Sequence, residues 1–155
     1  MPSLLSLTAD QPLRALQPTE AVVHEGEAGG ALYVLETGRL TVEREGVAIA
    51  TIVEPGALIG EMSVLLGRPY TATVRAEVGS SIRVIDNAMT FLEHNPLVAL
   101  FIATAVCERL DRTSALLVQM RHEAGGNSRE QGLFGRLLAS LSGPQMPAGG
   151  WQAHE

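Results

Sequence analysis

Hydrophobic and polar residues alternate over short distances in the central part of the chain. Between about His24 and Asp86, glycines recur about every ten residues or closer and separate short apolar segments. The predicted strands are Ala31–Leu35, Leu40–Val42, Val47–Val53, Thr71–Ala76 and Ile82–Ile85. Short strands joined by glycine-containing turns at this spacing are typical of a β-sandwich or β-barrel, and not of alternating strand–helix units. The central region is therefore predicted to be mainly β.

Other segments have the composition of helices. Ala9–Leu16, in a proline-containing N-terminal region, predicts one short helix, and Met89–His94 predicts another. Between Gly60 and Gly67 the sequence Glu-Met-Ser-Val-Leu-Leu contains good helix formers and predicts one or two helical turns. The β region is thus predicted to have flanking helices and one short helix inserted among its strands.

The longest predicted helix runs from Leu97 to Glu123, a stretch without glycine or proline. Residues along it recur at intervals of 4, 3, 4 and 3, a heptad pattern with one polar member: Val106, Leu110, Thr113, Leu117 and Met120. The same spacing also suits a helix packed on its own barrel. We predict that the chain forms a homodimer through the helix Leu97–Glu123.

The chain is predicted to consist of one domain, residues 1–123, and a short C-terminal segment, residues 124–155. That segment would contain a short helix within Ser128–Ser142 and a disordered tail over Gln145–Glu155. It is too short for a helix-turn-helix domain, so we predict no recognition helix and no DNA binding.

Charge and composition narrow the possible functions. The 155 residues include 11 basic and 17 acidic side chains, and the net charge of −6 argues against a general affinity for nucleic acid. No apolar run reaches the length of a membrane span, and no secretion signal is evident, so a cytoplasmic location is expected. One cysteine excludes an intramolecular disulfide framework. Four scattered histidines and the absence of a nucleophile or acid–base motif predict neither a metal site, a cofactor nor a catalytic residue.

The segment Pro55–Ala76 contains residues suited to a small-anion site. Gly60 allows close backbone approach, and the helix that follows begins with free N–H groups and a positive dipole end. The chain then returns through Thr71, whose hydroxyl can donate a hydrogen bond. Glu61, at the start of the same helix, suits a neutral hydroxyl donor such as a ribose 2′-OH. An anion together with a ribose hydroxyl describes a nucleotide monophosphate.

These residues resemble the phosphate-binding cassette of the cyclic nucleotide-binding domain family, which includes the catabolite activator protein, cyclic-nucleotide-dependent kinases and ion channels. The matching segments are Gly26-x-x-Gly29, Leu32–Gly38, Ile59–Ser63, Pro69–Val74 and, in the long helix, Glu108–Ser114. The resemblance covers about residues 20–120. It implies a jelly-roll β-barrel followed by a long C-terminal helix.

The resemblance implies a nucleotide site made largely of cassette residues: Gly60, Glu61, Met62, Ser63, Tyr70, Thr71 and Ala72. Glu61 and the Gly60 backbone would bind the ribose 2′-OH, while amides near Met62 and Ser63 would lie close to the phosphate. Thr71 and the Ala72 backbone would contact the phosphate directly.

The long helix is implied to complete the site. Arg109 would pair with Glu61, and Thr113 and Ser114 would reach the adenine amino group, one of them from each subunit of a dimer. The residues by themselves also fit a structural ion pair between Glu61 and Arg109. Thr113 and Ser114 equally fit tolerated polar residues on a helix surface.

Tyr70 is the main departure from the family pattern, which usually has an arginine here that neutralises the cyclic phosphate. A phenol donates one hydrogen bond and carries no charge. Losing a charge-assisted contact costs about 1.5–3 kcal/mol, or about 10- to 150-fold in affinity. Arg68 and Arg75 are nearby candidates to supply the charge, and neither is favoured. Tyr70 also fits a packing residue in a pocket that has stopped binding nucleotide.

The sequence therefore predicts a stand-alone regulatory sensor module that binds a cyclic nucleotide, with cAMP favoured and with weak or altered affinity. It would signal through an effector protein whose identity the sequence does not give. One alternative is a nucleotide-independent interaction module with the same fold. The other is a binder of a cyclic dinucleotide, with Tyr70 stacked on a base.

Overall fold

In the computed structural model, which describes residues 2–125, 132–133, 135–137 and 139, eight β-strands form two four-stranded antiparallel sheets. The strands are β1 (Leu13–Leu16), β2 (Ala21–Val23), β3 (Leu32–Thr37), β4 (Leu40–Arg44), β5 (Val47–Ile52), β6 (Leu58–Ile59), β7 (Thr73–Ala76) and β8 (Ser80–Ile85). One sheet has the order β1-β8-β3-β6 and the other the order β2-β7-β4-β5. Apart from the β4–β5 hairpin, strands that are neighbours within a sheet are not consecutive along the chain, as in a jelly-roll barrel.

Helices flank the sheets and interrupt the chain between β6 and β7. They are α1 (Leu4–Leu7), α2 (Glu61–Leu66), α3 (Ala88–His94) and α4 (Pro96–Ala124). The mainly β architecture with flanking helices and a long C-terminal helix, predicted from the sequence, is confirmed. The described helix bounds of α2, α3 and α4 differ from the predicted ones by one residue at most.

The core lies between the two sheets. Leu35 of β3, Leu40 of β4 and Ile82 of β8 are fully buried there and pack in one cluster with Ile59 of β6. Burying each such side chain contributes about 1.5–3 kcal/mol relative to leaving it exposed. This packing holds β6, and therefore the start of α2, in a fixed position against the barrel.

The prediction of a helix over Ala9–Leu16 is wrong. Leu13–Leu16 forms β1 and pairs antiparallel with β8, from Leu13 opposite Arg83 to Leu16 opposite Ser80. Pro12 cannot donate the backbone hydrogen bond that a helix interior needs, but its carbonyl accepts one from the Val84 N–H at 2.9 Å. Pairing with a distant strand outweighs the local helix propensity.

Two compact units divide the chain, Met1–Thr104 and Ala105–Glu155. All the described strands lie in the first unit, and α4 begins there with Val98 and Ile102 buried. The second unit contains the rest of α4, and its described residues between 132 and 139 are helical. The predicted boundary at residue 123 stays a prediction, and the predicted tail 145–155 lies outside the described residues.

Among the described helices, none is by itself long and apolar enough to cross a membrane. By length and composition alone, α3 and α4 would pass that test if they were joined across their bend of 111°.

Candidate functional site

The predicted ribose end of the site lies where β6 meets α2. Gly60 has a φ of 92°, a left-handed conformation that side chains disfavour. A Cβ added at Gly60 would lie 3.0 Å from the carbonyl oxygen of Ala31 and 3.1 Å from Cε1 of Tyr70. Backbone angle and packing therefore both select glycine. The turn places Glu61 at the first position of α2, where it is 5% exposed.

The first turn of α2 supplies backbone amides at the same place. The first hydrogen bond of this turn runs from the Val64 N–H to the Gly60 carbonyl at 3.1 Å. The N–H groups of Glu61, Met62 and Ser63 precede it, so they have no acceptor within the helix. A carboxylate beside a helix N-terminus is favoured by the helix dipole. The start of α2 thus combines a buried acidic side chain with backbone donors.

Ser63 contributes differently from its neighbour Met62. The Ser63 side chain is buried and its hydroxyl donates to the Arg68 carbonyl, whereas the Met62 side chain is 44% exposed. The Ser63 hydroxyl is therefore used within the fold. A Cβ at Gly29 would lie 1.7 Å from the Ser63 Oγ, so the loop before β3 can approach α2 only with glycine there.

Tyr70 points into the barrel core and is 7% exposed. Its hydroxyl donates to the Ala31 carbonyl at 3.0 Å, and its N–H donates to the Glu27 carbonyl at 2.9 Å. Burial raises the pKa of Tyr70 to about 12, with the neighbouring Tyr33 adding to the shift. The phenol is therefore neutral at physiological pH, and its single donor is used inside the fold.

Thr71 and Ala72 follow Tyr70 in an irregular segment before β7, and both are half-buried. Arg75, one candidate for the missing charge, lies on β7, where its guanidinium donates to the Thr19 carbonyl at 2.8 Å. Arg68, the other candidate, is exposed and lines a cavity of about 340 Å³ beside the C-terminal end of α2.

The predicted residues of the long helix lie in the second unit. Arg109 and Thr113 are exposed, and Ser114 is half-buried. The Thr113 hydroxyl donates to the Arg109 carbonyl and the Ser114 hydroxyl to the Leu110 carbonyl, each at 2.8 Å. Both hydroxyls bond to their own helix. Contacts of these residues with the cassette stay predictions.

Sequence reasoning missed the role of the loop before β3. Gly26 and Gly29 were interpreted as turn residues with no ligand role, but the Ala31 carbonyl of this loop accepts a hydrogen bond from the Tyr70 hydroxyl. The loop also forms backbone hydrogen bonds with Tyr70, including one from the Gly26 N–H to the Tyr70 carbonyl at 2.8 Å. The clustering of three glycines within five residues was the available signal of a close approach.

Within the described residues, no three His, Cys, Asp or Glu side chains come together in a way that could hold a metal ion. The site offers a buried carboxylate, backbone amides and hydroxyls. Groups of these kinds can bind a ligand through hydrogen bonds.

The fold and this arrangement define a β-barrel binding domain with a short helix inserted at its site. Residues 13–92 match the family model described as "Cyclic nucleotide-binding domain". The chain belongs to this family and is a cyclic nucleotide-binding regulatory domain.

Curated relatives contain a similar segment within longer proteins. The chain is 30% identical over 87 residues to a cGMP-dependent protein kinase of Eimeria tenella, which covers 53% of this chain and 9% of the kinase. It is 36% identical over 80 residues to the acetyltransferase Pat of Mycolicibacterium smegmatis, which covers 48% of this chain and 24% of that protein. The chain thus spans less than a quarter of the length of these two relatives.

Solved structures share the fold. The crystal structure of the Thermus thermophilus catabolite activator protein aligns with a TM-score of 0.64 at 23% identity, covering 78% of this chain and 60% of that one. The N-terminal domain of a transcriptional regulator from Streptomyces coelicolor A3(2) aligns with a TM-score of 0.53 at 30% identity, covering 69% and 81% of the two chains.

Proposed function

We propose that this domain binds a cyclic mononucleotide such as cAMP, with Glu61 as the acceptor for the ribose 2′-OH and with low affinity. The observation that carries the proposal is the burial of Glu61, 5% exposed, at the start of α2 beside amides that have no acceptor within that helix. Burying a carboxylate is costly unless hydrogen-bond donors compensate it. A buried carboxylate at this position of the cassette suits the recognition of a sugar hydroxyl.

Low affinity is proposed because the phosphate end of the cassette has no cation at position 70. The hydroxyl of Tyr70 donates to Ala31, so it is not offered to a ligand. Arg75 donates to the Thr19 carbonyl and is occupied there. The phosphate would then be held by the Thr71 hydroxyl and by backbone N–H groups of Met62, Ser63 and Ala72. These are neutral donors, which form weaker hydrogen bonds to an anion than a guanidinium does.

We further propose that the nucleotide acts by linking the barrel to α4. Arg109 would pair with Glu61, and Thr113 and Ser114 would turn from their own helix carbonyls to the base. A ligand shifts a conformational equilibrium only by its difference in affinity for the two states. Contacts of the nucleotide itself with α4 would provide that difference, and an effector protein would respond to the position of the helix.

The homodimer through Leu97–Glu123 also belongs to this proposal. Leu110, in the heptad pattern, is 48% exposed in the single chain and is available to a partner helix. Leu110→Asp is expected to turn a dimer into a monomer in sedimentation analysis. Val118→Asp is the matched control, because Val118 is 49% exposed on the same helix and lies outside the heptad pattern. A monomeric wild type at micromolar concentration would contradict the dimer.

A nucleotide-independent module is the second candidate, and the burial of Tyr70 favours it. Calorimetric titration of the protein with cAMP, cGMP and a cyclic dinucleotide separates the candidates. Heat with a cyclic mononucleotide that is lost in Glu61→Ala supports the proposed function. Absence of heat with all three ligands would favour the nucleotide-independent module, and heat with the dinucleotide alone would show that the ligand class is wrong.

A further inference from the structure

We propose that Tyr70 is a positioning residue that holds the Gly60–Glu61 turn in its binding geometry before any ligand arrives. The inference rests on the proposed function, because Glu61 is the proposed ribose acceptor. Contacts within the protein would then form the Gly60–Glu61 turn in the absence of nucleotide, and the nucleotide would bind to a turn that is already formed.

Tyr70 connects segments that are far apart in the sequence. Its hydroxyl bonds to Ala31 in the loop before β3, at 3.0 Å. Its main chain bonds to the same loop twice, with the Glu27 carbonyl at 2.9 Å and with the Gly26 N–H at 2.8 Å. Its ring lies against Gly60, where an added Cβ would be 3.1 Å from Cε1. One residue thus joins the glycine-rich loop, the turn before α2 and the segment before β7.

The Ala31 carbonyl makes this arrangement specific to a tyrosine. The oxygen that accepts the Tyr70 hydrogen is also the atom 3.0 Å from the position of a Gly60 Cβ. A hydrogen bond that holds the Ala31 carbonyl oxygen in place therefore also holds the backbone against which Gly60 packs. A phenylalanine would fill the same space but would leave the oxygen without its donor. A positioning role thus belongs to the hydroxyl group and is separable from the packing of the ring.

A neutral side chain can be buried in the core and hold the Gly60–Glu61 turn without a ligand, whereas a cation would need a partner for its charge. A guanidinium stays charged in proteins, and burying it without a partner is costly. Tyr70 is a neutral phenol at physiological pH, and burial raises its pKa further, to about 12. Tyr70 therefore leaves the phosphate end without a charge at position 70, and for the same reason it can be buried in the core.

Hydrogen exchange of the ligand-free protein tests the proposal with Tyr70→Phe. The reporters are the Val64 N–H, bonded to Gly60, and the Arg68 N–H, bonded to Ser63. Their exchange is expected to accelerate by about two- to tenfold, the effect of losing one hydrogen bond. Amides of β8, a central strand paired on both sides, are expected to be unchanged. Such a local change reports opening of one part of the structure.

Thr8→Val is the matched control for removing a buried hydroxyl. Thr8 is fully buried, and its hydroxyl donates to the Leu4 carbonyl at 2.9 Å, far along the chain from the cassette. This variant is expected to leave the exchange of Val64 and Arg68 unchanged. Unchanged exchange in Tyr70→Phe would overturn the proposal, and so would an equal acceleration in β8, which indicates a general role in the core.

Tyr70→Arg provides a second readout that core packing alone does not predict. Its cassette amides are expected to exchange faster than those of the wild type without ligand, and to regain protection when cAMP is added. Full protection of this variant without ligand would overturn the proposal. Exchange without ligand is independent of affinity, so a wild type that binds no nucleotide would refute the proposed function and leave this inference standing.

Discussion

The two ends of the cassette differ in what they offer a ligand. At the Gly60–Ser63 end, a left-handed glycine and a short helix place a buried carboxylate next to backbone donors. At the Arg68–Ala72 end, the side chain at position 70 is buried and bonded within the fold. In the proposed function, the ribose hydroxyl is bound by the Glu61 side chain, whereas the phosphate has no cation at position 70. The ribose acceptor would thus be retained while the charge for the phosphate is lost.

The largest expected effect comes from removing the carboxylate at the ribose end. Glu61→Ala is expected to abolish nucleotide binding, because a charge-assisted hydrogen bond contributes about 1.5–3 kcal/mol to an affinity that is already low. Calorimetry measures the loss. Leu65→Ala is the control, since Leu65 lies in the same helix, outside the proposed site, and is 50% exposed. Equal binding by wild type and Glu61→Ala would show that the ribose end is placed wrongly.

A glycine substitution at the same end tests whether packing fixes the turn. Gly60→Ala is expected to lower the free energy of unfolding by more than the strain of about 1–2 kcal/mol that a left-handed backbone imposes on alanine. Gly67→Ala isolates that strain, because Gly67 has a φ of 61° and no atom within 4 Å of an added Cβ. Chemical denaturation measures both variants. Equal losses would mean that the contacts of Gly60 with Ala31 and Tyr70 do not matter.

A smaller effect is expected at alkaline pH from the phosphate end. The pKa of Tyr70 is raised from 10.0 to about 12 by burial, and then by Tyr33, with a smaller effect from the charge of Glu27. The unfolded chain releases this proton first, so the stability that the phenol provides is present below pH 10 and is lost as the pH rises through 12. Denaturation between pH 8 and 12 measures the loss.

The chain is well suited to this measurement because its basic residues are all arginines. Lysines therefore do not titrate in the same range. Tyr70→Phe should remove most of the alkaline loss of stability, and Tyr33→Phe should remove much less of it. An alkaline loss that is the same in wild type and Tyr70→Phe would contradict the assigned burial of the Tyr70 hydroxyl.

The sequence predicted those parts of the fold that local pattern determines. Strands β3, β4, β5 and β8 alternate with glycines, and α2 consists of good helix formers between two glycines. Strand β1 was predicted as a helix because its partner, β8, lies more than sixty residues further along the chain. Strands β2 and β6 have three and two residues, too few for a recognisable alternation.

The candidate site could be predicted by residue type more readily than by geometry. The motif at Gly60 and Glu61 is local, so its turn and its helix start follow from neighbouring residues. The orientation of Tyr70 depends on Ala31, which is 39 residues away in the sequence. A tyrosine side chain can either contact a ligand or pack in a core. Only the position of the loop before β3 shows that Tyr70 packs in the core.

The central claim is that the phosphate end lacks a cation at position 70 while the ribose end keeps the Glu61 carboxylate. Calorimetric titration of wild type and Tyr70→Arg with cAMP tests it most directly. An introduced guanidinium that reaches the phosphate should gain more than the loss of the Tyr70 hydrogen bond costs, so we expect binding about tenfold tighter in the variant. Equal affinity, or weaker binding by Tyr70→Arg, would contradict the account.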